Sequence, residues 1–280
     1  MVRYSGIGTS RVPPYHPPVT GSLVVNEIYL SLQGESTFAG LPCVFVRLTA
    51  CNLRCSYCDT AYAFTQGRRR ELADILTEVE RLAAPYAPRP LPPPAPDSAT
   101  APATAVAAGR PALPLVELTG GEPLLQPAAL PLMAQLADRG FVVLVETSGA
   151  LDISAVDPRV RRIMDLKCPS SGESDRNRWD NLPHLRSTDE VKFVIGTHED
   201  YAWAKQVLAR HGLADRCPIL FSWVHPLAPE QRDPVLKPVP AGQTPITRLQ
   251  LVEAIVADAL PVRFQLQMHK IIWSPEQRGV

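Results

Sequence analysis

Apolar and polar positions along this chain alternate between short strand-like runs and helical stripes. Residues 23–32 carry the strand formers Val24, Val25, Ile28 and Leu30, and predict a strand ending at the turn Gln33-Gly34-Glu35. A second strand is predicted at 43–48, on which Arg47 faces opposite to Val46. Leu72, Ile75, Leu76, Val79 and Leu82 form a helical stripe over 71–82. Further strands are predicted at 115–118, 141–145, 163–166, 191–195 and 218–224, and helices at 127–138, 198–211 and 249–260. Gly140 and Gly212 stand where they can close two of these helices. The last strand, 262–268, alternates cleanly and sets Arg263, Gln265, Gln267 and then His269 on one polar face. That face meets either solvent or an interior site, and the pattern leaves both open.

Strands alternating with helices predict right-handed βα units and a mainly parallel sheet in an α/β fold. Ligands of such sheets gather at the C-terminal strand ends. Four polar stretches fall there: 47–58, 119–122, 146–147 and 165–167. No internal repeat is visible beyond this alternation.

Composition narrows the class. A chain of 280 residues holds one large domain or two small ones. Its formal net charge is zero, which suggests neither a broad nucleic-acid footprint nor a membrane one. No apolar run approaches the roughly 20 residues of a membrane-spanning helix. The first residues hold prolines rather than an apolar export core, so a cytoplasmic protein is expected. Thirty prolines concentrate at 12–18, 85–114 and 226–245. Residues 1–22 read as a flexible Pro-rich arm, followed by one domain, 23–280, with a Pro/Ala-rich insertion at about 85–114. A partner-binding polyproline role is the alternative to a plain linker there.

The chemistry centres on Cys51, Cys55 and Cys58, spaced x3 then x2. Three thiolates on one loop suit an iron–sulfur cluster, and in a four-iron cluster they leave one iron open to a small molecule. A closed zinc site needs four ligands, usually as two pairs, whereas Cys43, Cys168 and Cys217 are scattered singly. A disulfide framework fits three clustered cysteines poorly. Gly120-Gly121-Glu122 follows a predicted strand; the glycines admit a close ligand and Glu122 offers an acceptor. Glu146 and Arg47 are strand-end groups that suit hydroxyls and a carboxylate, although a solvated side chain and an ordinary ion pair are the plainer readings.

Cys-x3-Cys-x-aromatic-Cys, with Tyr57 as the aromatic, resembles the signature of radical S-adenosylmethionine (SAM) enzymes. With Leu32-Gln33-Gly34-Glu35, Cys58-Asp59-Thr60, Thr119-Gly120-Gly121-Glu122-Pro123, Glu146-Thr147 and His269, the chain is similar to the 7-carboxy-7-deazaguanine synthases from about Val24 onward. That resemblance implies an incomplete, trimmed TIM-like (βα) barrel of the radical SAM type. It implies a 4Fe–4S cluster on Cys51, Cys55 and Cys58, and Mg2+ on Thr60. SAM would lie against Tyr57, Cys58, Asp59, Gly120, Gly121, Glu122, Glu146, Asp165, Leu166 and Lys167. Substrate would lie against Leu32, Gln33, Gly34, Glu35, Arg47, Thr119, His269 and Pro275. It also implies a pterin substrate, 6-carboxy-5,6,7,8-tetrahydropterin, whose ring contracts with loss of ammonia on the route to 7-deazapurines such as queuosine. A flavodoxin-like external electron donor and a homodimer belong to the same expectation. Asp165-Leu166-Lys167 departs from the Ser-Pro-Lys version of its segment. The chain runs past Pro275 to Arg278-Gly279-Val280, which leaves open which of the two reaches substrate. The competing readings are a glycyl-radical-enzyme activase, with the same cofactor and a protein substrate, and a non-catalytic zinc-stabilised binding protein.

Overall fold

The computed structural model describes residues 20–86, 112–227, 229–274 and 277–280. The Pro-rich arm, apart from residues 20–22, and most of the 85–114 insertion lie outside them, as does Pro275. The strands are β1 (Ser22–Leu32), β2 (Pro42–Leu48), β3 (Arg68–Glu71), β4 (Leu115–Gly120), β5 (Val143–Thr147), β6 (Arg161–Leu166), β7 (Glu190–Ile195), β8 (Ile219–Trp223) and β9 (Arg263–Gln265). The helices are α1 (Leu72–Ala83), α2 (Ala129–Asp138), α3 (His198–His211), α4 (Arg248–Ala257) and the short α5 (His269–Ile272).

The strands form one open sheet in the order β3-β1-β2-β4-β5-β6-β7-β8-β9. From β2 through β9 every pairing is parallel, as the alternation predicted. The β1 strand pairs antiparallel with both β2 and β3. β3 has no counterpart in the hydrophobic pattern because its sequence, Arg-Arg-Arg-Glu, contains no apolar position. Among the described residues, no α-helix separates β5 from β6 or β6 from β7, so the barrel is trimmed as well as open.

Two apolar layers sandwich the sheet. The larger packs α1, α2, α3 and α4 on the outer face, through residues such as Leu76, Met133, Tyr201 and Leu251. α1 shows why these segments are helical: its buried positions, Leu72, Ile75, Leu76 and Val79, lie on a single stripe. α3 begins with a capping box between Thr197 and Asp200 and ends at Gly212, whose φ of 56° puts it in the left-handed region. The smaller layer, Cys43, Phe45, Leu115, Leu144 and Ile163, floors the concave inner face. Above that floor the same strand face turns polar toward the C-terminal ends: Arg47 on β2, Glu117 and Thr119 on β4, Glu146 on β5, Asp165 on β6 and Lys192 on β7. Register sets Phe45 beside Glu117 and Asp165 beside Lys192, which gathers these groups at one height.

The final strand is shorter than its alternation predicted, three residues in place of seven, because α5 takes over at His269. Its polar face nonetheless turns inward. Gln265 Nε2 donates to Ser36 O at 2.7 Å and Gln267 Nε2 to Glu35 Oε1 at 3.0 Å.

Candidate active site

The cysteine loop leaves β2 and folds over the C-terminal end of the sheet. Neighbouring segments hold it at several backbone points. Arg54 N donates to Glu173 Oε1 at 2.6 Å, Ser56 N to Ser171 O at 3.0 Å, and Lys237 N to Arg54 O at 2.9 Å. Ser56 Oγ donates to Ser170 O at 2.7 Å, and Asp200 in turn accepts from Ser170 N at 2.7 Å. Residues 170–173 are thus a support that sequence reasoning passed over; the signal was the polar run Ser170-Ser171-Gly172-Glu173 just past a strand end.

One cavity opens beside this loop. It is lined by Cys51, Cys55, Tyr57, Cys58, Asp59 and Thr60 on one wall, and by Leu32, Gln33, Gly34, Glu35, Arg47, Thr119, Gly120, Gly121, Glu146, Asp165, Lys167 and His269 around the rest. Nearly all the predicted site residues meet there, brought from five strands, the loops that follow them and α5. Among the described residues, two of them do not line it. Leu166 is buried in the outer core. Glu122 is fully buried and its carboxylate is already ringed by donors: Leu124 N at 3.1 Å, Thr147 Oγ1 at 2.9 Å, Ser148 N at 2.7 Å and Ser148 Oγ at 2.6 Å. Glu122 orients Thr147 and Ser148, which do line the cavity.

Gly120 and Gly121 line the cavity and also approach the protein itself closely. A Cβ on Gly120, φ 133°, would collide with the Leu48 backbone, and one on Gly121 with Ala50 O and, at 2.9 Å, with Cys51 Cβ. Glu122 N donates to Ala50 O at 2.8 Å and closes the contact. β4 and the start of the cysteine loop are thereby packed backbone against backbone.

Gln33 was expected to read a ligand edge, but both ends of its amide have protein partners: Oε1 accepts from Glu35 N at 2.6 Å and Nε2 donates to buried Glu117. Arg47 shows the ion pair that was the plainer alternative, Nε to Glu27 Oε1 at 2.8 Å, with a second bond to Tyr29 Oη at 2.7 Å. Asp59 is paired with Lys270 at 2.6 Å. Burial raises the Asp59 pKa, but the charges of Lys270 and His269 outweigh it and hold the carboxyl well below the usual range.

The chief groups missed from the sequence are Lys192 and Glu117. Each is a lone charged residue inside an apolar strand run, which was the available signal. Lys192, 4% exposed, binds Glu35 at 2.9 Å, is also bonded to Glu146, and lies 3.9 Å from Asp165. Burial disfavours its ammonium, yet the surrounding carboxylates hold its pKa well above that of an ordinary lysine. Burial likewise raises Glu35, but Lys192, His269 and the Gln267 hydrogen bond bring it down to about 2. Glu117 goes the other way: burial and then the nearby Glu146 carboxylate push it well above the usual range, against the pull of Lys192.

No family model matches the chain. A 7-carboxy-7-deazaguanine synthase from Koribacter versatilis is 40% identical over 258 residues, spanning 91% of this chain and 99% of that protein. Another, from Chlorobaculum tepidum, is 39% identical over 261 residues, spanning 92% and 97%. The chain belongs to the 7-carboxy-7-deazaguanine synthase family. The crystal structure of QueE from Escherichia coli shares the fold, with a TM-score of 0.60 at 21% identity and coverage of 89% of this chain and 95% of that one.

The cofactors this family implies can be tested against the residues present. All six cysteines are free thiols, and Cys51, Cys55 and Cys58 face one cavity wall. Burial pushes Cys55 up to about 12 and Cys58 to about 11, so they need bound metal to become thiolates. Among the described residues, no three His, Cys, Asp or Glu side chains converge as they would around a single ion. Asp165 Oδ1, buried at the cavity edge, has no hydrogen-bond partner and is an acceptor ready for a polar ligand such as SAM.

Gly34 has little room: a Cβ there would lie 2.8 Å from His269 Nδ1. Gly34→Ala should therefore displace the His269 ring and raise KM for the substrate severalfold while SAM affinity stays unchanged. Equal effects on both would show that the contact does not divide the two subsites.

Proposed function

We propose that this chain is a 7-carboxy-7-deazaguanine synthase acting on 6-carboxy-5,6,7,8-tetrahydropterin, with loss of ammonia. The observation that carries this reading is the convergence of the three thiols and the Glu35–Lys192–Glu146 network in one cavity, in a chain matched along 91% of its length by a 7-carboxy-7-deazaguanine synthase. Cys51, Cys55 and Cys58 would hold a 4Fe–4S cluster, which with SAM would supply one-electron cleavage chemistry.

The chain's own residues bind, orient and exclude. Thr147, Ser148, Glu146, Asp165 and Lys167 offer hydroxyl, carboxylate and ammonium groups to SAM. Glu35, Thr119 and His269 face the substrate. Ionised Glu35 accepts hydrogen bonds from the pterin's amino-bearing edge, and Glu117 holds Gln33 beneath it. Arg47, already bonded to Glu27 and Tyr29, presents its remaining N–H groups to the substrate carboxylate. The apolar floor of Phe45, Leu115 and Leu144 keeps water from below.

Mg2+ belongs to this reading through Thr60, with water and substrate oxygens completing a hard-donor shell. Thr60→Ala is expected to flatten the Mg2+ dependence of turnover and leave SAM cleavage in place; an unchanged Mg2+ response would remove Thr60 from the metal. A homodimer, a cytoplasmic setting and an external one-electron donor complete the proposal. Among the described residues, no helix is long and apolar enough to cross a membrane.

The deciding experiment is anaerobic turnover of the reconstituted protein with SAM, dithionite, Mg2+ and 6-carboxytetrahydropterin, read by mass spectrometry. Many turnovers to 7-carboxy-7-deazaguanine per SAM are expected. Cleavage of SAM without that product would reassign the substrate and return the activase reading.

A further inference from the structure

One of the two edges of the sheet is β3, and its sequence is Arg68-Arg69-Arg70-Glu71. Arg68 and Arg69 are exposed and Arg70 is half-buried. Arg278 joins them from the far end of the sequence: its guanidinium lies 4.0 Å from the Tyr62 ring centre and donates to Gln66 Oε1 at 2.8 Å. These four arginines line one groove together with Gln66 and Glu27. Glu27, the acid in that groove, is already paired with Arg47 at 2.8 Å. Among the described residues, none of the four arginines forms an ion pair with a carboxylate. Arg69 donates to Ser22 Oγ at 2.7 Å and Arg70 to the Asp74 carbonyl at 3.3 Å; Glu71 and Asp74 are the exposed acids nearby. In a chain of zero net charge, with 28 basic and 28 acidic residues, this is a concentrated local excess of positive charge.

The groove is tied to the residues that enter the cysteine loop. Thr49 Oγ1 donates to Gln66 O at 3.0 Å, and Gly67 has no room for a side chain against Thr49. Ala50 N donates to Ala63 O at 3.0 Å, and Cys51 follows directly. Tyr62, under the Arg278 guanidinium, stands four residues past Cys58.

We propose that this arginine edge is the docking surface for an acidic one-electron carrier protein that reduces the cluster. The proposal rests on the cluster reading above. One electron leaves the carrier and enters the cluster; no bond or proton changes hands. Electron-transfer encounters bury little area, below about 1,200 Å2, so charge steering carries much of the recognition. A second copy of this chain is a poor occupant, because edge-to-edge pairing would set one arginine row against another.

The test uses the full reconstituted chain and compares wild type with the triple variant R68Q/R69Q/R70Q, and with R69Q alone in case the triple variant folds poorly. Cluster reduction is followed by anaerobic stopped-flow absorbance, with fully reduced flavodoxin or with dithionite, from low to high salt. The expected result is at least about tenfold slower reduction by flavodoxin at low salt, loss of the steep salt dependence, and unchanged reduction by dithionite. Unchanged flavodoxin kinetics would overturn the proposal, as would equal slowing with both reductants. Loss of binding to a short RNA with flavodoxin kinetics intact would also overturn it, by making the edge a polyanion site. If dithionite-reduced wild type fails to form the deazaguanine product, the functional reading falls while the docking result still reads out.

Discussion

Lys192→Met is expected to be the most damaging single substitution in the cavity. It removes the buried cation between Glu35, Glu146 and Asp165 and leaves the half-buried Glu35 and Glu146 without their ion-pair partner. Breaking a buried ion pair from one side costs about 3–5 kcal/mol, which for a chain of this size lowers Tm on the order of 10 °C. The pH dependence gives the distinctive signature. In the wild type Glu35 is held at about 2, below its unfolded value, so its contribution is present above the unfolded pKa of about 4.3 and is lost as pH falls toward 2. Without Lys192, burial dominates and raises Glu35 above its unfolded value, so acidification neutralises it and relieves the penalty. The Tm gap between variant and wild type should then narrow steadily from pH 8 to pH 5, and substrate KM at pH 7 should rise at least tenfold. A gap that is constant with pH would mean that Lys192 acts only through packing.

Gly121→Ala is expected to remove the cluster while leaving the sheet intact. The added methyl would strike Ala50 O, and Cys51 Cβ at 2.9 Å, so the backbone entering the cysteine loop has to shift. Overpacking of this kind costs about 1–3 kcal/mol, which a domain with this extent of core tolerates. Three thiols on a displaced loop, however, no longer match the cluster. Iron and sulfide retained after reconstitution should fall by more than half, with the far-UV circular dichroism unchanged. Gly140→Ala is the reference: φ there is positive, 85°, unlike at Gly121, and nothing lies within 4 Å, so it carries backbone strain alone, about 1–2 kcal/mol, and keeps the cluster. Full iron loading in Gly121→Ala would show that the loop is free to adjust and that the glycine serves another purpose.

Much of this fold was legible because its strands are nearly continuous apolar runs. α3 is found where predicted, over His198–His211, since a capping threonine and a closing glycine bracket it. β3 was illegible because three arginines and a glutamate carry no hydrophobic period; the strand exists through its backbone pairing with β1. Helix ends shifted by one to three residues, as at Ala129 in place of 127, where turn geometry rather than periodicity sets the boundary.

In the site, the cysteine spacing and the glycine pair identified their positions without a structure, while the partners of Gln33, Arg47 and Glu122 remained hidden. Their deciding partners lie far along the chain, Glu117 being 84 residues from Gln33 and Ser148 26 from Glu122, and no local pattern records such a distance.

The sequence alone determined the class of chemistry, because three thiols at this spacing on one loop are a local property, as are the strand and helix periods that make an α/β sheet. Tertiary structure decided which polar groups remain available to a ligand. Parallel register set Asp165 beside Lys192, the β1 turn carried Glu35 to the same ammonium, and burial with neighbouring charges then lowered the Glu35 pKa and raised that of Glu117. Ionisation in a buried network depends on neighbours and solvent exclusion, and both come into being only when distant strands close over one another.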